Sequence, residues 1–200
     1  MADSLRTSKI IIVVGLAALF LGATTLFVME NADSSRSEIP IFSEIPNFSG
    51  IESFGSDYVR ANLNEKITIV DFIFTSCPAL CPSMCERMSE LYELYRENEE
   101  IQFLSMSVDP DNDSLAALRE FSMRFGVNDN RWKFVRMSLE EVTSLYTDGF
   151  KLGGELPFQH SSKFILVDRS GRIRGYYESG DDQNIETLKS DIIELLNSGV

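Results

Sequence analysis

The amino-acid sequence predicts an α/β domain with a central mixed β-sheet flanked by helices, preceded by one N-terminal transmembrane helix. Three observations lead to this prediction. A long apolar run lies near the N-terminus. Beyond it, β-branched and aromatic runs alternate with amphipathic helical patterns, and a cluster of cysteines lies where one such run gives way to a helix. The apolar run predicts the transmembrane helix, and the alternating runs predict the α/β domain that follows it.

The apolar run spans residues 10–29 (IIIVVGLAALFLGATTLFVM) and contains neither a charge nor a proline. About 20 apolar residues in a helix match the hydrocarbon thickness of a bilayer. Arg6 and Lys9 precede the run, which predicts that residues 1–9 are cytoplasmic and that the C-terminal domain is periplasmic or otherwise extracytoplasmic, anchored in the inner (cytoplasmic) membrane. A cleaved signal peptide is the alternative. Its apolar region usually spans about 7–15 residues, so an uncleaved single-pass anchor is favoured.

Residues 30–45 are polar and rich in serine, which predicts a linker, and residues 46–200 then form the folded domain. The chain has 31 acidic and 18 basic residues, for a formal net charge of -13. Nucleic-acid binding depends on cationic side chains that replace the counterions of phosphate groups. The acidic balance therefore argues against a nucleic-acid partner.

Residues 67–74 form a nearly continuous β-branched and aromatic run, typical of a strand buried on both faces. The elements predicted after it are a helix at 82–98, a strand at 101–108, a helix at 115–125 capped by Asp113 and Ser114, a strand at 132–137, a helix capped by Ser138, a hairpin of 163–168 with 173–177, and a helix at 185–196. A β-α-β half followed by a β-β-α half is the element order of the thioredoxin fold. Together with the cysteine position described next, this order predicts a thioredoxin-like fold.

Three cysteines, Cys77, Cys81 and Cys85, lie in one short stretch between the first long strand and its helix. Clustered cysteines do not form a framework of distant disulfides, so they indicate metal binding or redox chemistry. Two thiolates at a helix N-terminus can close a reversible disulfide or bind a soft metal such as Cu(I). The Cys-x-x-x-Cys spacing of Cys77 and Cys81 allows a wider bite around a metal than Cys-x-x-Cys. Cys85 is a third ligand, a resolving thiol or, in the favoured interpretation, a core residue.

The chain has a single histidine, His160, just before the predicted strand at 163–168. In a thioredoxin-like fold the loop before this strand packs against the cysteine loop, so His160 and the cysteines are expected to meet in space. Two thiolates and one imidazole suit copper in either oxidation state. Thioredoxin-like reductases usually have a cis-proline directly before this strand. Here Ser161 and Ser162 occupy that place, which weakens a pure reductase interpretation.

These stretches resemble the Sco/SenC family. The matching segments are residues 70–82 (VDFIFTSCPALCP), 107–113 (SVDPDND) and 160–168 (HSSKFILVD), and the resemblance covers about residues 46–196. It implies a copper protein that serves assembly of the binuclear copper centre of cytochrome c oxidase, with the copper-bearing oxidase subunit as partner. It also implies that Cys77, Cys81 and His160 bind the copper ion. Asp109 matches a family position, with a role near the metal or in a strand-end turn.

The predicted function is therefore that of a membrane-anchored copper chaperone. The alternative is a thiol–disulfide oxidoreductase in which Cys77 and Cys81 form the redox pair and reduce cysteines of the oxidase subunit or of other extracytoplasmic proteins. The two functions are compatible at different times, because only the reduced pair binds metal. His160 discriminates between them, since a copper site needs it and a reductase does not.

Overall fold

The computed structural model describes residues 15, 18, 20–25, 39–77 and 80–198, and for residues 80 and 81 it describes the backbone alone. The chain divides into two compact units, residues 1–38 and Ile39–Val200. In the first unit the described residues are helical. Within the described part of the chain, no helix combines the length and apolar character that crossing a bilayer requires. Most of the predicted anchor at 10–29 lies outside the described residues.

The second unit contains one eight-stranded mixed sheet. Its strands are β1 (Ser43–Glu44), β2 (Ser49–Glu52), β3 (Asp57–Val59), β4 (Ile67–Ile73), β5 (Ile101–Ser107), β6 (Trp132–Arg136), β7 (Lys163–Val167) and β8 (Arg172–Glu178). They lie side by side in the order β1-β8-β7-β4-β5-β6-β2-β3. β4, β5 and β6 run parallel, whereas β7 and β8 are antiparallel to their neighbours.

Among the described residues of the second unit, four α-helices accompany the sheet: α1 (Leu80–Leu94), α2 (Leu115–Arg124), α3 (Leu139–Ser144) and α4 (Asp182–Ser198). A short 3-10 helix spans Arg60–Leu63, and a π-helical turn at Leu145–Gly149 extends α3. Ser138 caps α3 in a capping box with Glu141, as the sequence predicts. The β4-α1-β5 half and the β7-β8-α4 half match the predicted element order, so the prediction of a mixed α/β fold is confirmed.

β4 lies at the centre of the sheet, and all seven of its residues are buried. Its β-branched and aromatic side chains suit this position because both faces of the strand are covered. β5 pairs with β4 in parallel from Ile67↔Ile101 to Ile73↔Ser107. β7 runs antiparallel on the other side of β4. The end of β4, the end of β5 and the start of β7 therefore meet at one edge, where the cysteine loop and the His160 loop begin or end.

Part of the predicted linker belongs to the second unit. Ile39 and Ile45 are buried in the core, and β1 pairs with β8. The Arg174 guanidinium donates to the Ile39 carbonyl and to the buried carboxylate of Asp168. The compact unit therefore begins at Ile39, because two buried isoleucines, backbone pairing and one buried arginine hold residues 39–45 in place.

Candidate metal centre

The cysteine loop leaves β4 through a tight turn. The Cys77 N–H donates to the Phe74 carbonyl at 3.2 Å, which closes a four-residue turn from Phe74 to Cys77. The Cys77 side chain is half-buried and packs against the core. α1 begins at Leu80, so the backbone of Cys81 lies in its first turn. The Cys81 side chain lies outside the described part of the structure.

His160 lies in the loop before β7 and is only 6% exposed. Its ring meets the ring of Phe74 edge to face, with centroids 5.5 Å apart and an interplanar angle of 87°. Phe74 is thus a shared neighbour, because its carbonyl accepts the Cys77 N–H while its ring packs against the imidazole. The structure brings the cysteine loop and His160 to the same edge of the sheet, as the fold prediction requires.

The electrostatics of His160 favour a neutral imidazole. Burial lowers the pKa of His160, and the Ser161 carbonyl opposes this shift only in part. Nδ1 of His160 lies 3.1 Å from the Ser161 carbonyl oxygen. When Nδ1 carries the proton and donates it to that carbonyl, Nε2 is the nitrogen that bears the lone pair. Neutral imidazole is the form that binds a metal.

Tyr146 anchors the loop that carries His160. Its hydroxyl donates to the Gly153 carbonyl at 2.9 Å and accepts the Ser161 N–H at 2.7 Å. The Tyr146 ring is fully buried and meets Phe72 of β4 edge to face. One tyrosine therefore bonds two points of the loop and connects them to the central strand. No motif in the sequence singles out Tyr146, because its partners are backbone groups.

Asp113 accepts hydrogen bonds from the start of the cysteine loop. The Thr75 N–H and hydroxyl both donate to Asp113 Oδ1, at 3.0 and 2.6 Å, and the Ser107 hydroxyl donates to Oδ2 at 2.6 Å. The prediction that Asp113 shares the cap of α2 is wrong in this respect, because Ser114 alone accepts the N–H of Ala117 there. Aspartate and serine are equally good capping residues, so the sequence could not distinguish them.

Asp109 lies in a turn, and Cys85 lies in the core. Both carboxylate oxygens of Asp109 accept from the Asn112 side chain at 2.9 Å, and its carbonyl accepts the N–H groups of Asn112 and Asp113. These contacts fit the strand-end turn that was one of the two interpretations of Asp109. Cys85 is fully buried within the hydrophobic core. Its burial fits the favoured interpretation of Cys85 as a core residue.

Asp71 is a buried ionisable group that the sequence analysis did not single out. It lies in β4, fully buried, opposite Ser105 of β5. Neither carboxylate oxygen has a hydrogen-bond partner among the described residues. Burial raises the pKa of Asp71 to about 7. A proton therefore resides on Asp71 at pH values where an exposed aspartate is ionised.

The donor set suits a soft metal. Thiolate sulfur and imidazole nitrogen are ligands that copper prefers. Among the side chains that the structure describes, no three His, Cys, Asp or Glu residues are grouped as a metal site. The predicted ligand set includes Cys81, whose side chain is outside that description. The observed part of the set is the loop of Cys77 and the ring of His160, joined through Phe74.

Comparisons with known proteins agree with this architecture. The SCO1/SenC family model matches residues 41–197. The SCO1 protein homolog of Bacillus subtilis is 28% identical over 160 residues, which cover 76% of this chain and 83% of that protein. The crystal structure of a SCO1/SenC family lipoprotein from Bacillus anthracis superimposes with a TM-score of 0.70 at 28% identity, covering 77% of this chain and 95% of that one.

A further solved structure is that of BsSco, described as a member of the Sco family of cytochrome c oxidase assembly proteins with a disulfide switch. It superimposes with a TM-score of 0.69 at 25% identity, covering 78% of this chain and 95% of that chain. The family match spans almost the whole compact unit, including the cysteine loop and the His160 loop. This chain belongs to the SCO1/SenC family.

Proposed function

We propose that this chain binds copper through Cys77, Cys81 and His160 and delivers it during assembly of the copper centre of cytochrome c oxidase. The observation that carries the proposal is the contact between His160 and Phe74. It brings the chain's single histidine, buried and favouring the neutral form, to the turn that presents Cys77. A purely redox pair of cysteines has no need of this imidazole.

The ligand chemistry supports copper as the cargo. Thiolates favour Cu(I), while imidazole binds both copper oxidation states, so a set of two sulfurs and one nitrogen tolerates a change of oxidation state. Copper would bind the deprotonated thiols and the neutral imidazole. Cys77 is half-buried, so part of its side chain is exposed to solvent. Such partial exposure suits a protein that releases its metal to a partner.

The family supports the partner, and the sequence supports the compartment. BsSco is described as an oxidase assembly protein, and the corresponding partner here is the copper-bearing subunit of cytochrome c oxidase. The apolar residues 10–29, preceded by Arg6 and Lys9, provide a single-pass anchor in the inner membrane. The compact unit would then lie in the periplasm or an equivalent extracytoplasmic space, where the oxidase subunit acquires copper.

A second function, thiol–disulfide exchange by Cys77 and Cys81, is favoured by the disulfide switch described for BsSco. In this reaction a thiolate of the reduced pair would attack a disulfide of the partner, and the second thiolate would release the reduced partner and leave the pair oxidised. Ser161 and Ser162 directly precede β7, where a thioredoxin-like reductase has its proline. We therefore rank this activity second, as a step that prepares the oxidase subunit for copper.

Anaerobic copper titration of the reduced full-length chain in detergent tests the proposal. We expect one copper per chain, bound tightly by the wild type and much more weakly by Cys77→Ser and His160→Ala. Cys85→Ala is the matched control, because it removes a cysteine of α1 that is buried in the core, and it is expected to keep the binding stoichiometry. Binding that is indifferent to His160, together with disulfide reductase activity, would promote the oxidoreductase function instead.

A further inference from the structure

We propose that Asp113 is a positioning residue of the metal centre, whose buried carboxylate fixes the turn that presents Cys77. The proposal rests on the proposed function for the role of Cys77 as a copper ligand. It rests on the structure for the position of Asp113 itself. Asp113 acts through Thr75, because it accepts the N–H and the hydroxyl of that residue.

The Asp113 carboxylate joins the ends of two parallel strands. Thr75 follows β4, and it directs two donors to Oδ1. Ser107 is the last residue of β5, and its hydroxyl donates to Oδ2. Asp113 is fully buried, so these three hydrogen bonds replace the water that its charge would otherwise need. The arrangement uses both oxygens, which a carboxylate supplies and a single hydroxyl or amide oxygen does not.

The position of Thr75 makes this network relevant to the metal. Thr75 is the second residue of the turn from Phe74 to Cys77, which the Cys77 N–H closes on the Phe74 carbonyl. Asp113 accepts the N–H of Thr75, so it fixes the peptide plane between Phe74 and Thr75. The ring of Phe74 packs against His160. The carboxylate therefore holds the turn whose first residue contacts the imidazole and whose last residue is the cysteine.

Loss of the carboxylate would leave donors without acceptors. The Thr75 N–H and the Ser107 hydroxyl lie in a largely buried region, where an unmade hydrogen bond is costly. The turn would then sample other conformations, and the direction of the Cys77 side chain would vary. Substitution of groups that orient a metal ligand typically costs about tenfold or more in metal affinity. We expect a loss of that size for Asp113→Ala.

Two variant pairs test the proposal in the reduced full-length chain. The first pair is Thr75→Val, which removes the hydroxyl at nearly constant shape, and Thr75→Ser, which keeps it. The second pair is Asp113→Ala and Asp168→Asn. Asp168 is also a fully buried, multiply hydrogen-bonded aspartate, but it follows β7 at the opposite end of β4, beyond the Thr68↔Val167 pair. It controls for general loss of stability.

Two readouts are needed: Cu(I) affinity by chelator competition, and amide hydrogen exchange of Thr75 and Cys77 in the copper-free chain. We expect Asp113→Ala to weaken copper binding about tenfold and to speed exchange at both amides. Thr75→Val should shift both readouts in the same direction and less strongly, while Thr75→Ser and Asp168→Asn should leave them near wild type. Unchanged exchange in Asp113→Ala, or an equal loss of affinity in Asp168→Asn, would overturn the positioning role. If wild type binds no copper, the proposed function fails and the exchange measurement alone decides on Asp113.

Discussion

The imidazole ring of His160 lies edge to face on the ring of Phe74, 5.5 Å between centroids, and the carbonyl of the same Phe74 accepts the N–H of Cys77. Phe74 thus contacts both Cys77, in its own turn, and His160, which is far away in the sequence. Edge-to-face packing has a preferred geometry, so it orients the imidazole as well as burying it. Phe74 is the physical link between the sulfur side and the nitrogen side of the proposed copper site.

Replacing Phe74 with leucine should weaken this link. Leucine retains apolar bulk but has no ring edge, so we expect a stability loss of about 1–2 kcal/mol and a several-fold loss of Cu(I) affinity. Urea unfolding and chelator competition measure the two effects. Phe121→Leu is the control, since Phe121 is also buried among aromatic rings but lies on α2, packed on Phe125 and Phe134. Equal copper affinities in the two variants would contradict the role of Phe74.

Tyr146→Phe should loosen the loop that carries His160. The Gly153 carbonyl and the Ser161 N–H both lose their partner. Gly153 is exposed, so the main cost is expected at the half-buried Ser161 N–H, about 1 kcal/mol. We expect lower stability, faster exchange of the Ser161 amide and weaker copper binding. Tyr92→Phe serves as control, because it removes a hydroxyl bonded to Asn128 from a buried ring. Wild-type exchange at Ser161 in Tyr146→Phe would contradict this account.

Asp71 should make the stability of the chain pH-dependent. Its folded pKa of about 7 exceeds the usual value of 3.8, so the folded state holds a proton that the unfolded state has released. The contribution to stability is complete below about pH 4 and is lost as pH rises to and through 7. Asp71→Asn mimics the protonated form. Relative to wild type, the variant should gain about 4 kcal/mol of stability between pH 4 and pH 8, at about 1.4 kcal/mol per pKa unit.

Denaturant unfolding at the two pH values measures this gain. Asp168→Asn provides a control of opposite sign. Burial acts to raise the pKa of Asp168, but hydrogen bonds from Arg172 and Arg174 lower it more strongly, so the net pKa lies below its usual value. The stability from Asp168 is therefore present above the unfolded pKa and lost as pH falls. A parallel pH dependence of wild type and Asp71→Asn would show that Asp71 ionises normally.

His160 should add a second pH dependence in the copper-free chain. Burial lowers its folded pKa, so as pH falls below about 6.5 the unfolded state takes up a proton before the folded state does. Stability is complete above that range and declines as pH falls towards the folded pKa. His160→Gln keeps a similar shape without this titration. Because the chain has one histidine, the difference between wild type and variant from pH 7.5 to pH 5.5 isolates His160.

The long buried strands were predictable because their composition admits few alternatives. β4 is a nearly continuous β-branched and aromatic run and β5 a mostly apolar one, and both lie where the sequence predicts them. β1, β2 and β3 were not predicted. They span only two to four residues and include serine, aspartate and glutamate. They exist because other strands offer backbone partners: β1 pairs with β8, β2 with β6, and β3 with β2. A pairing of this kind leaves no periodic pattern in the sequence.

The features of the site were also predictable only in part. The meeting of the cysteine loop with the His160 loop followed from the element order, since β4 and β7 bring their connected loops to one edge. The roles of Asp113 and Tyr146 could not be predicted from the element order, because their partners are backbone groups and hydroxyls on other elements. Local patterns favoured a helix cap for Asp113 and no particular role for Tyr146. Supporting residues of this type are recognised only from contacts in the folded chain.

The most direct test of the central claim is X-ray absorption spectroscopy at the copper edge of the Cu(I)-loaded full-length chain, wild type beside His160→Ala. The account predicts two sulfur ligands and one imidazole nitrogen in the wild type, with the nitrogen contribution lost in the variant and the sulfurs kept. Identical spectra from the two chains, or a wild-type site of sulfur alone, would contradict a copper centre built from Cys77, Cys81 and His160.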